Sequence, residues 1–515
     1  MRDREDAQGR RMARLAVLLL GLRLLTWAFL LPPWSGFDEP YQHGLVETYA
    51  EDPRWHSFMS VGLPPRLVER MRDWPLYRGY ADSFAARTYG EARAPDRPPA
   101  HPPNYETLQS PAYYWMAGLL LRIVPRLEPI GELFFLRGMN ALLALAVGLL
   151  ALGAARVAGY GSRSAYPVLL LAFIPGYALA LVRVSNDAAC ATLISIAVFV
   201  SLRARTSLRR RSWTAALAAG LSPWAKLYGW TAVPKLAWDE IWRRPWTRRS
   251  VGVLALLFVP GLALGLLMWR FNGHPVSILE NLNHPASVRL IDVPWLNDGW
   301  MMIKTQIWMS GMSDIVFPTP VYVVIAAALA FLFWEAVRSN SRLPHDDWLW
   351  DLIVPILCFA AALAYFAYRN FALSGGPGGA GGWYMWSMAV AESLLLTRAA
   401  ARDVRVAGIF RATLAALWLI LIAGDLILFV EPSGRLIVSG PTHHFHGIRL
   451  APIATLASWF MSSRPPWCAI LAVALALSSW VAAAVCLWRL SADTRRLRGA
   501  KIGSWTPSSP PPSTT

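Results

Sequence analysis

Apolar runs of about 18–23 residues recur along this 515-residue chain, separated by short loops rich in arginine. Each run matches the ~30 Å hydrocarbon core of a bilayer when coiled as a helix. The sequence therefore predicts an all-α polytopic membrane protein, and a mean hydropathy of +0.36 agrees. A net charge of +17 would otherwise suggest nucleic acid. Here the basic residues lie between apolar runs and no separate basic domain carries them, so nucleic acid is not indicated as a partner. The four cysteines, Cys190, Cys358, Cys468 and Cys486, show neither metal spacing nor a disulfide framework.

Spans are expected at roughly 14–31, 133–155, 165–183, 187–203, 212–222, 223–238, 250–269, 319–337, 349–368, 383–397, 407–429 and 467–489. The pair over 212–238 is short and interrupted by Ser222-Pro223, as a tilted or broken hairpin would be. The segment Gln109–Val124 is apolar too, and parity decides its fate. If it does not cross, the clusters Arg156/Arg163, Arg203–Arg211, Arg243–Arg249, Arg398–Arg411 and Arg489–Lys501 share the cytoplasmic side with the arginine-rich N-terminus. If it crosses, all of them move outside. An interfacial or re-entrant helix is therefore expected there, in a bundle of about twelve spans with both termini cytoplasmic. Residues 1–490 form the transmembrane domain, with a long extracytoplasmic first loop over 32–132. The remainder, 491–515, ends in a Pro- and Ser-rich stretch and is expected to be a disordered cytoplasmic tail.

With that topology the ionisable groups converge on one membrane face. The first loop holds Asp38, Glu39, His43, His101 and Glu106, with Trp74, Tyr77 and Tyr80. The turn Arg183–Ala189 contributes Arg183, Asn186 and Asp187, and "SPWAKLYGW" contributes Lys226. The loops "FNGHPVSILENLNHP" and "PTHHFHGI" reach the same side. A carboxylate partly shielded from water can act as a general base, and a cation at headgroup level suits a phosphate. Blander readings stand beside these. The acidic pair could be interfacial charge, Lys226 could snorkel, and Asn186-Asp187 could cap the following helix. His443, His444 and His446 lack a placed carboxylate and make a poor metal site. Arg23, inside the first span, costs about 2.5–3.5 kcal/mol unless it faces a partner, and the sequence does not name one.

"FDEPYQHGL" followed by "YETLQSPAYYWMAGLLLRIV" resembles the first-loop signature of the GT-C superfamily of membrane glycosyltransferases, closest to an uncharacterised bacterial branch. "IPGYALALVRVSNDAACATL" is similar to its second acidic motif and "SPWAKLYGWTAVPKL" to its lysine hairpin. "KTQIWMSGMSDIVFP" and "GGWYMWSMAVAESLLL" resemble its late motifs. The ordered set runs from about Leu15 to Leu396. Departures are Ser110 and Ala112 for Pro and Leu, Leu108 for His, and Trp383-Tyr384 for Arg-Tyr.

The resemblance implies an inverting transfer of a sugar from a polyprenyl-phosphate carrier to an extracytoplasmic lipid, glycan or protein. It implies Asp38 as base with Glu39 beside it. His43, Glu106, Gln109, Arg183, Asn186, Asp187, Lys226 and Tyr384 would bind substrate. Membrane lipids are further partners; no cofactor is certain, and a divalent metal is left open. A transporter or lipid flippase is the main alternative, although no internal repeat is visible and the charges lie at one surface. A membrane scaffold is the third.

Overall fold

The computed structural model describes residues 2–36, 38–56, 60–72, 104–124, 127–206, 211–242, 246–272, 289–309, 315–338, 348–374, 381–431, 436–439, 444–448 and 452–502. His101, Trp74, Tyr77, Tyr80, His443, most of the 271–285 loop and the tail from 503 lie outside them.

Eight helices among the described residues are long and apolar enough to cross a membrane. They are Ala7–Leu30, Pro129–Val157, Asp187–Ala204, Arg248–Phe271, Thr319–Arg338, Leu349–Ala372, Val404–Val430 and Pro466–Ala492. A further candidate is the pair Gly161–Phe173 and Pro175–Val182, bent by 70°. The bend has a local cause. Pro175 lacks an N–H and drives Ile174 out of the helical region, to φ −81 and ψ 110.

Three of the twelve expected spans are shorter pieces. The 212–238 stretch folds as Arg211–Ala225, a 3₁₀ segment Leu227–Ala232 and the helix Val233–Trp242. Lys226 is extended, at φ −157 and ψ 137, and separates the first two. The 15 residues of Arg211–Ala225 reach about 22 Å, short of the core thickness. The 383–397 run opens as a 3₁₀ helix, Gly382–Met388, before the 14-residue helix Ala389–Arg402. Apolar composition overstates continuity here, because one extended residue or one tightened turn breaks a span without changing its hydropathy.

The expected interfacial segment is a 12-residue helix, Ala112–Ile123, about 18 Å long and unable to cross. It packs on the helix Glu39–Glu51. Gly118 permits the approach, since a Cβ there would sit 2.8 Å from the Ala50 nitrogen. The last helix runs on to Ile502, past the expected domain edge at 490. A two-stranded antiparallel hairpin pairs Leu436–Ser439 with His444–Ile448, the one departure from an all-helical fold among the described residues.

The first helix, Arg2–Leu30, packs against Pro466–Ile502 and Pro129–Val157. Buried Ala13 and Ala16 lie on the first helix and Ala144, Ala151, Ala154 and Ala155 on Pro129–Val157, where a Cβ on Gly148 would clash with Leu20 Cδ2. Between apolar helices in lipid, close backbone approach over small residues supplies the dispersion contacts that hold a bundle. Arg23 finds its partner here. Its Nη1 and Nη2 donate to Asp425 at 2.6 and 2.9 Å, and Nη1 also reaches Ser479 at 3.0 Å. Trp27 and Trp480 donate their indole N–H groups to the same carboxylate at 3.0 and 2.8 Å.

Candidate functional site

The loop after the first helix is held in an unusual backbone. Trp34 and Asp38 both take the left-handed region, at φ 55 and φ 60. Asp tolerates that region; a tryptophan there costs on the order of 1–3 kcal/mol and persists only where its surroundings enforce it. Here the Trp34 indole N–H donates to His43 Nδ1 at 3.1 Å. Arg137, inside the helix Pro129–Val157, donates to both oxygens of Glu39 at 2.9 and 2.5 Å. It also donates to the carbonyls of Leu31 and Pro32 at 2.6 and 2.8 Å, just past the first helix's end. Glu39 in turn accepts from the backbone N–H of Val184 at 2.9 Å and of Gly36 at 3.2 Å. Gly36 packs so closely that a Cβ would lie 2.9 Å from Arg183 Cβ. One buried pair thus ties the first loop to the Arg183 turn. Asn140 secures the other side of that turn, donating to the carbonyls of Arg183 and Ser185 at 2.6 and 3.2 Å.

This backbone decides what Asp38 does. It precedes the helix Glu39–Glu51, whose second residue is Pro40, yet makes no side-chain cap bond. An N-cap carboxylate ordinarily accepts from the second or third helical N–H with β-region backbone. The left-handed turn removes that option. The half-buried Asp38 carboxylate is instead close enough for its charge to act on Glu106 and Tyr384.

Asp187 opens the helix Asp187–Thr206 and gathers the cations. Lys226 Nζ donates to its Oδ1 at 2.7 Å and Arg183 Nη2 to its Oδ2 at 3.2 Å; the Tyr228 hydroxyl also bonds Oδ1. Lys226 stands over the rings of Tyr384 and Tyr228, 4.8 and 5.0 Å from their centroids, and Arg183 over Trp383 at 5.3 Å. Aromatic faces favour cations without consuming their N–H donors. Among the described residues Lys226 spends one of its three donors, and the buried Arg183 Nε has no hydrogen-bond partner. Those donors can receive an anion.

Glu106 comes from the 3₁₀ segment Tyr105–Leu108, whose Asn104 cap accepts from its N–H and donates to the Tyr41 carbonyl at 2.8 Å. Burial, then the Asp38 charge, push the Glu106 carboxyl well above the ordinary carboxylate range, with Asp187 adding and Lys226 opposing. That shift favours the protonated form of Glu106. Tyr114 approaches Glu106 Oε2 at 3.4 Å and donates to Gln42 Oε1 at 2.5 Å. Asn186 Nδ2 reaches Gln109 Oε1 at 3.3 Å, and the buried Asn186 Oδ1 has no partner.

Asp38, Glu106, Gln109, Arg183, Asn186, Asp187, Lys226 and Tyr384 thus share one site. Two expected members do not. Glu39 is fully buried, with both oxygens engaged. Burial raises its carboxyl, but Arg137 and the Val184 and Gly36 N–H groups outweigh that and leave it below the ordinary range. It holds the loop and has no lone pair left to take a proton from a reactant. His43 faces Trp34, Glu47 at 3.3 Å and Glu132 at 3.6 Å instead of the site. The snorkelling reading of Lys226 fails, since it is buried and ion-paired, and the Asp187 side chain bonds Lys226, Arg183 and Tyr228.

His43, Glu47 and Glu132 offer ligand atoms within 4.8 Å of one another, close enough to suit a cation. Their chemistry does not fit one. Trp34 is donor-only, so His43 Nδ1 accepts and the ring hydrogen sits on Nε2, where a metal would bind. Arg66 already supplies the positive charge, 3.0 Å from Glu47 and 2.8 Å from both oxygens of Glu132.

Sequence reasoning missed Arg137, Asn140, Tyr114 and Tyr228. Arg137 and Asn140 carried a legible signal, a charged and an amide side chain inside an apolar span. Tyr228 stands two residues after Lys226 in the same quoted stretch, but nothing in the spacing singles it out.

No family model and no curated protein matches this chain. Two solved structures are similar to it in fold. The crystal structure of ArnT from Cupriavidus metallidurans bound to undecaprenyl phosphate is 15% identical, covering 96% of this chain and 81% of that one, with a TM-score of 0.49. The apo structure of the same protein is 14% identical over the same shares, with a TM-score of 0.42.

Proposed function

We propose that this chain is a GT-C-type membrane glycosyltransferase. It moves a sugar, with inversion, from a polyprenyl-phosphate carrier to an extracytoplasmic acceptor. One observation carries the reading: Asp38, Glu106 and Asp187 lie together with Lys226 and Arg183, whose donors are only partly spent. Inverting transfer needs a base on one side of the anomeric carbon and anion stabilisation on the other.

Asp38 accepts the proton of the acceptor hydroxyl as that oxygen attacks the anomeric carbon. The bond from that carbon to the phosphate oxygen breaks, and the phosphate leaves with the electron pair. Lys226 and Arg183 receive its developing charge, oriented by Asp187 and Tyr228. Glu106, keeping its proton, leaves the local negative charge to Asp38. Glu39 is a positioning residue through Arg137 and Val184. The isoprenoid tail lies among apolar helices, consistent with a site at the end of the bundle. The arginine-rich loops and N-terminus favour both termini on the cytoplasmic side of the plasma membrane.

Reconstituted vesicles with a labelled polyprenyl-phosphate sugar separate this reading from transport. The account expects labelled sugar in a new covalent product and release of the free carrier phosphate. Intact carrier crossing the bilayer without product would replace it with the transport reading.

A further inference from the structure

A polar group unrelated to that chemistry lies beneath the 3₁₀ helix Gly382–Met388. Glu392, in the first turn of Ala389–Arg402, is 93% buried and lines a cavity of about 230 Å³. The rest of the wall is almost wholly apolar: Ile174, Ile307, Leu329, Phe333, Ile356 and Leu396. Gln306 Nε2 donates to Glu392 Oε2 at 2.9 Å. Among the described residues that is the carboxyl's one hydrogen bond, and no cationic side chain faces it. Among the described residues neither Glu392 Oε1 nor Gln306 Oε1 has a hydrogen-bond partner. Buried acceptors in native proteins are nearly always paired, by protein, water or ligand.

The lining says what would complete them. No cationic side chain lines the cavity, so a phosphate or carboxylate headgroup would be buried there uncompensated, and the carrier phosphate of the transferase reading does not belong here. A hydroxyl brings a donor and no net charge into an apolar wall. The volume falls below the ~300–1,000 Å³ of drug-sized sites, so it admits the end of a longer molecule. Phe333 is 43% exposed, on a helix whose Val323, Val324 and Trp334 also face outward. Entry is thus from the lipid side.

We infer that a long-chain membrane alcohol docks in this cavity, with its hydroxyl hydrogen-bonded to Glu392 Oε1 and its chain along Leu329, Phe333 and Leu396. The inference stands apart from glycosyl transfer, because it is read by binding. The test is photolabelling of the full-length protein in lipid nanodiscs with a diazirine-bearing hexadecanol and with its methyl ether. The alcohol should label peptides containing Phe333 or Leu396 roughly tenfold more than the ether, as one recovered hydrogen bond implies. Glu392→Leu should erase that preference and Glu392→Gln, which keeps an acceptor, should retain most of it. Should Glu392→Leu fail to fold, Leu329→Trp, which fills the cavity, should abolish labelling. Equal labelling by alcohol and ether in the parent protein overturns the inference, as does stronger labelling by the matched amine.

Discussion

Arg23–Asp425 and Lys226–Asp187 are both buried ion pairs between distant segments, and they differ in what is left over. Around Asp425, Arg23, Trp27 and Trp480 fill both oxygens, Ser479 takes a further guanidinium N–H, and no buried polar atom of these residues is orphaned. Around Asp187, three acids meet two bases, Lys226 keeps unspent donors, and Arg183 Nε and Asn186 Oδ1 have no partner. A closed network fixes helices against one another; an open one is a place where a polar ligand finishes the bonding. Desolvation is unfavourable in both. On the proposed transferase reading, only the second has a chemical use for remaining incomplete.

The largest expected effect breaks the open region at its base. Asp38→Asn keeps shape and hydrogen-bonding capacity but cannot accept the acceptor's proton. Turnover in a donor-labelled transfer assay should fall 10²–10⁴-fold, about 3–5 kcal/mol in the barrier, with donor affinity and melting temperature near the parent's. Turnover within a few-fold of the parent would return Asp38 to interfacial charge.

Breaking the closed region should act on stability instead. Asp425→Ala leaves Arg23 buried and uncompensated, which costs roughly 3–5 kcal/mol. Thermal unfolding in lipid should register it, while the fraction still folded transfers sugar normally. A selective loss of turnover without destabilisation would give Asp425 a part in the chemistry.

A smaller effect sharpens the contrast through pH. Because the folded-state carboxyl of Glu106 is raised, the native protein holds a proton that the unfolded chain releases near pH 4.5. The stability this contributes is full below that value and is lost as pH rises through the raised value. Glu106→Gln removes the dependence, so its unfolding free energy should fall less than the parent's on going from acid toward neutral pH. Parallel profiles for the two proteins would contradict the assignment.

Much of the architecture was legible in the apolar periodicity, because a bilayer leaves few alternatives to long helices. The failures were local. Pro175 bends one run, an extended Lys226 interrupts another, and 3₁₀ geometry opens a third, none of which alters hydropathy. Within the site, Asp38, Glu106, Asp187 and Lys226 stood out as charges beside apolar runs. The split between Asp38 and Glu39 did not, since adjacent acids look alike until the backbone turns one toward the cluster and the other onto Arg137. Arg23 signalled a need for a partner, but Asp425 is one of several acids inside later apolar runs, with Glu335 and Glu392. Sequence offers no distance between Arg23 and Asp425, 402 positions apart.

The central claim is that one pair is architecture and the other a ligand site, and matched uncharged replacements test it most directly. Replacing both members of a buried pair with hydrophobic residues of similar volume avoids the stranded charge and is often neutral in stability. Arg23→Met with Asp425→Leu should yield folded protein in lipid, and so should Lys226→Met with Asp187→Asn, whose amide oxygen still accepts from Arg183 or Tyr228. Binding of a polyprenyl-phosphate sugar would then be measured for each. The account predicts parent-like affinity in the first double variant and at least a tenfold loss in the second, from the missing charge-assisted hydrogen bond to phosphate. Equal affinity in two folded double variants would contradict it.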